Sequence, residues 1–264
     1  TTVPVWGWTT PGEKVIVKGD WPDSHAFSGF SDSEGKWMIN IETRDAGGPY
    51  SVKITSGSEN IHLHNVMVGE VWFCSGQSNM EMPLKGWPEQ NQPIDDSDRE
   101  ISEANFPQIR LFKVKRHYAE EPVQDCEGSW QICTPASAQE FSAVAYFFGK
   151  QIHNNLNVPI GLIMCAWSAT PVESWIRRDI FEKDSFFKGV LEGLRYSDVP
   201  SQRKPSRLYN GMVNPVIPYS IGGIIWYQGE SNVGRAREYE KLFQALIRDW
   251  RKKWSKEDIW FLFV

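Results

Sequence analysis

The amino-acid sequence predicts an α/β protein: a parallel sheet with flanking helices, preceded by a small all-β, sandwich-like domain. Three observations carry this expectation. Up to about residue 66 the chain reads as short β-prone runs separated by Gly, Pro and Asp turns. From residue 67 onward, apolar strand runs alternate with helical stripes, the grammar of a sheet built from crossovers. The first of those runs ends in Gly76-Gln77-Ser78-Asn79-Met80, a small polar turn that sets a serine where open α/β sheets bind ligands.

In the first region, residues 15–17, 37–41 and 51–54 are strand candidates, punctuated by Pro11-Gly12, residues 32–35 and residues 46–49. The division falls between 1–66, read as an accessory domain, and 67–264. His62 and His64 flank Leu63, so both rings share one strand face. Two histidines do not complete a metal site, and the pair is read as a solvated face.

Residues 66–75 then form one buried strand leading to Ser78. A long polar segment follows at 85–108, with Pro88, Pro93 and Pro107. Long loops in compact domains are often functional, and Trp87 in it either lines a sugar site or covers the core. The next strand is expected at 109–114. Ser137-Ala138-Gln139-Glu140 has the form of a capping box ahead of a stripe made by Phe141, Val144, Phe148, Ile152 and Leu156. A buried strand at 159–166 ends at Trp167-Ser168-Ala169-Thr170-Pro171. Another at 224–227 ends at Gln228-Gly229-Glu230-Ser231-Asn232. The last helix shows its stripe most clearly: Tyr239, Leu242, Phe243, Leu246, Ile247, Trp250 and Trp254, with Asp249 and residues 251–253 expected on the other face. Residues 258–264 read as a further buried strand.

Composition narrows the function classes. The net charge of −5 gives no basic surface for nucleic acid or an anionic membrane. No apolar run approaches the ~20 residues of a membrane span. Thirteen tryptophans serve either core packing or stacking on sugars. Of the four cysteines, Cys74 and Cys165 are read as small core residues, while Cys126 and Cys133 are compatible with a disulfide or with two free thiols. No CxxC pair supports zinc, and no cofactor is expected.

The run from Val68 through Gly76-Gln77-Ser78-Asn79-Met80-Glu81-Met82 resembles the nucleophile block of the sialate O-acetylesterases, which are SGNH hydrolases. Val5-Trp6-Gly7-Trp8, Gly47-Gly48-Pro49-Tyr50, Leu208-Tyr209-Asn210-Gly211-Met212 and Ile225-Trp226-Tyr227-Gln228-Gly229-Glu230-Ser231-Asn232 extend the resemblance over most of the chain. It implies an SGNH-like sheet, Ser78 as nucleophile, and an oxyanion hole from Ser78, Ser168 and the Gln228 amide. Gln77, Asn79, Trp167, Asn210 and Glu230 would bind substrate or support the site, Glu230 orienting its loop or pairing with Arg207. The family's usual Trp-Gly-Gly-Thr-Pro is replaced here by Trp167-Ser168-Ala169-Thr170-Pro171, and a required positive φ would strain Ser or Ala. Ala169 is therefore the second candidate donor after Ser168.

The resemblance also implies an Asp-x-x-His motif supplying the base, and none of the 264 residues carries it. The 67–264 domain is accordingly expected to be incomplete at its C-terminus, with the His and Asp on a following segment or a second polypeptide. The implied reaction is removal of acetyl esters from O-acetylated sugars, O-acetyl sialic acid first. An acetyl xylan esterase and a non-catalytic glycan-binding relative are the alternatives. Arg177, Arg178 and Arg207 are candidates for a sialate carboxylate, and such substrates imply a secreted, periplasmic or lumenal site of action.

Overall fold

The computed structural model describes residues 1–193 and 199–264. It separates into two compact units. The first comprises Thr1–Glu70 with Asn157–Pro159 and Pro218–Ser220; the second holds the remainder.

The first unit carries β1 (Thr2–Trp8), β2 (Lys14–Gly19), β3 (Phe27–Phe30), β4 (Lys36–Glu42), β5 (Gly47–Ser56) and β6 (Glu59–Val68). β1 and β4 form an antiparallel ribbon, and the other four a sheet in the order β3-β2-β5-β6. Alternate residues of these strands close one core of Val15, Val17, Trp21, Trp37, Ile39, Ile41, Val52 and Ile54, which is the half-buried period-two pattern of antiparallel strands. The sequence does not foresee β1 or β3. The long edge strand β6 is exposed along most of its length, and the His62 and His64 rings stack on it with centroids 6.0 Å apart.

The second unit is organised on a six-stranded, mostly parallel sheet. Its strands are β7 (Glu70–Gly76), β8 (Phe106–Lys113), β9 (Trp130–Cys133), β10 (Ile160–Ala166), β11 (Gly223–Tyr227) and β12 (Trp260–Phe263), in the order β12-β11-β7-β10-β8-β9. The expected strand at 66–75 is two strands. β6 ends at Val68, and at Gly69 a Cβ would lie 2.0 Å from the Pro159 carbonyl oxygen, so only glycine fits the break before β7. β10 is buried at every residue, as central parallel strands are. β12 forms where a buried strand is expected, but among the described strands it has β11 alone beside it and is not buried: Trp260 is 69% exposed and Phe263 62%.

Two helices differ instructively from their sequence reading. Ser137 does not cap the long helix. It answers Thr134 in the capping box of the single turn Pro135–Ala138, and the long helix runs over Ala143–Leu156 with the Ser142 hydroxyl accepting from Ala145 N–H at 3.1 Å. Its buried face is Ala143, Ala145, Tyr146 and Gly149 rather than the larger apolar stripe, and Leu156 is exposed. The helix lies so close to β10 that a Cβ on Gly149 would meet Leu162 at 2.6 Å; small residues permit that approach. In the helix Ala236–Lys253 the apolar stripe is buried as expected, but Asp249 is buried with it, and Arg177 grips its carboxylate at 2.7–3.0 Å. Trp175, Trp226 and Trp250 meet edge to face beneath the sheet at 5.6–6.1 Å. The polar segment 85–108 holds a helix, Ser97–Glu103, and a shorter turn at Pro88–Gln90.

All four cysteines are free. Burial raises the Cys126 and Cys133 thiols to about 11. Less thiolate is then present at any pH below that value, so at pH 8 native alkylation should run roughly a hundredfold below that of an unperturbed thiol, and recover as pH rises toward 11; iodoacetamide kinetics measure it. Leu162→Ala, which empties a fully buried position under the Gly149 contact, should cost about 2–5 kcal/mol in denaturant unfolding.

Candidate active site

The site is built where β7 and β11 end side by side. Gly76 has φ +146°, and a Cβ there would lie 2.1 Å from the Tyr227 carbonyl oxygen. Only glycine lets the two strand ends approach so closely. Gln77 N–H then donates to the Tyr227 carbonyl at 2.9 Å, and the chain turns into the short helix Ser78–Glu81. Ser78 is partly exposed, and its Oγ makes no hydrogen bond to a described residue. It is presented outward rather than stapled to the turn.

Below Ser78 lies a buried amide network. Gln77 Oε1 accepts from Gln228 Nε2 at 3.1 Å and from Ser231 N–H at 3.2 Å. Gln228 Nε2 also approaches the Thr170 carbonyl at 3.1 Å and Asn232 Oδ1 at 2.9 Å. Three protein acceptors share its two hydrogens, while its Oε1 is buried with no partner among the described residues. The amide expected to face an oxyanion is thus turned inward. Asn232 Oδ1 further accepts from Val172 N–H at 3.0 Å, and its amide donates to Glu173 at 2.9 Å. Glu173, fully buried, is paired with Arg235, which also reaches Glu238 at 3.0 Å. Asn232, Glu173 and Arg235 were not singled out from sequence. The 228–232 turn sits within the matched block, but a buried carboxylate 55 residues away in the chain from Gln228 leaves no local signal.

The turn after β10 is the second wall. Trp167 N–H donates to the Gly76 carbonyl at 3.2 Å, and the Thr170 hydroxyl donates to the Trp167 carbonyl at 2.7 Å. Ser168, the first candidate donor, has its N–H 2.8 Å and its Oγ 2.6 Å from Glu81 Oε2. Its N–H is consumed inside the protein. Ala169, the second candidate, is exposed, has φ +58°, and donates its N–H to no described residue. Glu81 itself is buried and receives Arg116, whose guanidinium also covers the Trp167 ring at 5.3 Å. Tyr118 adjoins the same indole, with centroids 6.4 Å apart.

The remaining expected residues divide. The Asn79 amide donates to Glu230, joining the Ser78 turn to the turn after β11. Glu230 does not pair with Arg207, which binds Glu120 at 2.6 Å. Asn210 is buried, and its amide holds the Ala119 and Glu120 carbonyls at 3.3 and 2.6 Å, so it braces the segment after β8. Arg178 pairs with Glu182 and Arg177 with Asp249, within their own surroundings. His25, His62 and His64 belong to the first unit; His153 lies on the long helix against Phe106, and no histidine is hydrogen-bonded to Ser78. Among the described residues no cluster of three or more metal-ligating side chains occurs.

A mostly parallel sheet that carries a serine on a tight turn at a strand's carboxyl end, its hydroxyl bonded to no described residue, sets that side chain where open α/β sheets bind ligands. Residues 68–264 match the family described as carbohydrate esterase, sialic acid-specific acetylesterase. The chain belongs to that family. The sialate O-acetylesterase of Homo sapiens is 30% identical over 269 residues, which cover 96% of this chain and 50% of that protein. The Mus musculus sialate O-acetylesterase is 29% identical, over 94% of this chain and 52% of its own. A carbohydrate acetylesterase from Xanthomonas citri, known by crystal structure, superposes with a TM-score of 0.84 at 32% identity, over 98% of this chain and 55% of that one. The chain therefore spans about half the length of the curated relatives it matches.

Gly76→Ala forces a methyl group into the Tyr227 carbonyl. It should destabilise the fold by roughly 1–3 kcal/mol, read as a lowered midpoint in urea.

Proposed function

We propose that this chain carries the nucleophile side of a carbohydrate esterase that removes acetyl groups from O-acetylated sugars, with O-acetyl sialic acid the first substrate. The observation that carries the reading is Ser78 Oγ, unbonded and presented on the Gly76-Gln77-Ser78-Asn79 turn. Family membership and the names of the relatives support the substrate class.

In this reading Ser78 Oγ attacks the acetyl carbonyl carbon while a base takes its proton. The tetrahedral intermediate collapses to an acetyl-enzyme, and the sugar hydroxyl leaves with that proton. Water, deprotonated by the same base, then releases acetate and restores Ser78. The Ser78 and Ala169 N–H groups, neither bonded to a described residue, would hold the oxyanion. Ser168 and Gln228 would act as scaffold, since their donors are used within the protein. Trp167 and Tyr118 offer an aromatic wall to the sugar. The base would be a histidine, oriented by an aspartate, outside these residues on a following segment or a second polypeptide. Acetylated glycans are met outside the cytoplasm, which supports a secreted, periplasmic or lumenal setting. Among the described residues no helix is long and apolar enough to cross a membrane.

The experiment is acetate release from O-acetyl sialic acid and from acetylated xylan by the protein together with the segment that supplies the base, beside Ser78→Ala in the same background. Release should vanish in the variant, with an unchanged unfolding midpoint. Retained release would remove Ser78 from the reaction. Sugar binding without acetate release by the parent protein would favour a glycan-binding role.

A further inference from the structure

The turn Trp167-Ser168-Ala169-Thr170 presents a physical problem. Ala169 has φ +58°, a left-handed conformation in which an L-residue's Cβ crowds the following carbonyl oxygen. Such a conformation persists only when its surroundings over-determine it. The surroundings here are specific. On the N-terminal side, both polar hydrogens of Ser168, on N and Oγ, converge on one oxygen of Glu81 at 2.8 and 2.6 Å. The other Glu81 oxygen takes Arg116 Nε at 2.7 Å, and Arg116 lies over Trp167, the residue before Ser168. On the C-terminal side, the Thr170 carbonyl is held by Gln228 and its hydroxyl bridges the Trp167 carbonyl to Trp175 Nε1. The tip residue alone is exposed, with its N–H free of protein acceptors. Glu81 belongs to the helical turn that begins at Ser78, so the same four residues carry the nucleophile and the clamp.

We propose that Glu81 is a positioning residue for ester hydrolysis: its carboxylate, through the N–H and Oγ of Ser168, holds Ala169 in the left-handed region so that the Ala169 N–H meets the developing oxyanion. Arg116 keeps that carboxylate aimed, and buttresses the turn through Trp167. The clamp does the work that a glycine would do without help, because glycine enters this conformation at no steric cost. The inference rests on the esterase reading above for its chemistry, and on the hydrogen bonds alone for its geometry.

The test compares the parent with Glu81→Gln, Ser168→Ala and the double variant Glu81→Gln/Ala169→Gly. Glu81→Gln should lower kcat for acetate release by about tenfold or more, as loss of an oriented oxyanion donor does, with KM within about twofold. Ser168→Ala keeps the N–H bond and loses the hydroxyl bond, so its loss should be smaller and its fold intact; it decides the matter if Glu81→Gln does not fold. The glycine in the double variant should recover most of the lost kcat. A role in stability alone predicts a lowered melting temperature, unchanged kcat and no rescue, and that pattern overturns the proposal. Hydrogen exchange of the peptide covering 167–171 reads the clamp without catalysis: it should accelerate at least tenfold in Glu81→Gln. If the parent, supplied with the segment that carries the base, releases no acetate, the esterase reading fails, and unchanged exchange then overturns the clamp as well, while accelerated exchange sustains it.

Discussion

A line of buried side-chain amides carries this site. Gln77, Gln228 and Asn232 join the turns after β7 and β11, and Asn232 passes the connection to Val172 and the Glu173–Arg235 pair. Each of these groups has left water, so each loss of a partner would cost the full desolvation of the other. That asymmetry makes the network specify one arrangement of three loops. The Ser78 hydroxyl can stay partly exposed and bonded to no described residue because the turn that carries it is tied through Gln77 and Asn79.

The network works only because the sheet brings its strand ends into register. β11 pairs with β7 so that Tyr227 stands opposite Gly76, and the missing Cβ at Gly76 closes the gap. Beneath the sheet, Trp175, Trp226 and Trp250 set the depth at which the helix Ala236–Lys253 docks, and Trp250 Nε1 donates to the Trp175 carbonyl at 3.2 Å, fixing the segment that also carries Glu173. Most tryptophans of this chain are therefore structural: Trp21, Trp37, Trp72, Trp175, Trp226, Trp250 and Trp254 are buried. Trp167 differs from them: it is only partly buried, with its N–H donating to the Gly76 carbonyl beside the Ser78 turn.

Ionic residues divide along the same lines. Arg177, Arg178 and Arg207 each have a carboxylate within 3.0 Å. Arg116 differs from them, since it reaches a buried carboxylate while its guanidinium remains half exposed over an indole. Charge at this site is thus arranged to fix loops, with Glu81 and Glu173 each neutralised by one arginine and each buried carboxylate also accepting a neutral donor.

Sequence by itself determined the α/β class, the tight turn at Ser78 and most of the sheet, because those follow from local rules: uninterrupted apolar runs at β10 and β11, a small polar turn after β7, and a three-four apolar stripe in the last helix. It also marked the Ser168-Ala169 pair as a place where a required positive φ would be strained, and the structure puts it at Ala169. Only the tertiary structure decided which donors stay free. Ser168 N–H and the Gln228 amide were legible as candidate donors, but whether they face a ligand or a buried acceptor depends on Glu81, Gln77 and Asn232, which reach them across the fold from other segments. The same reason hid the burial of Asp249, whose carboxylate Arg177 grips from another segment. Periodicity reports which face of an element is apolar; it does not report which polar group another segment will bring against it.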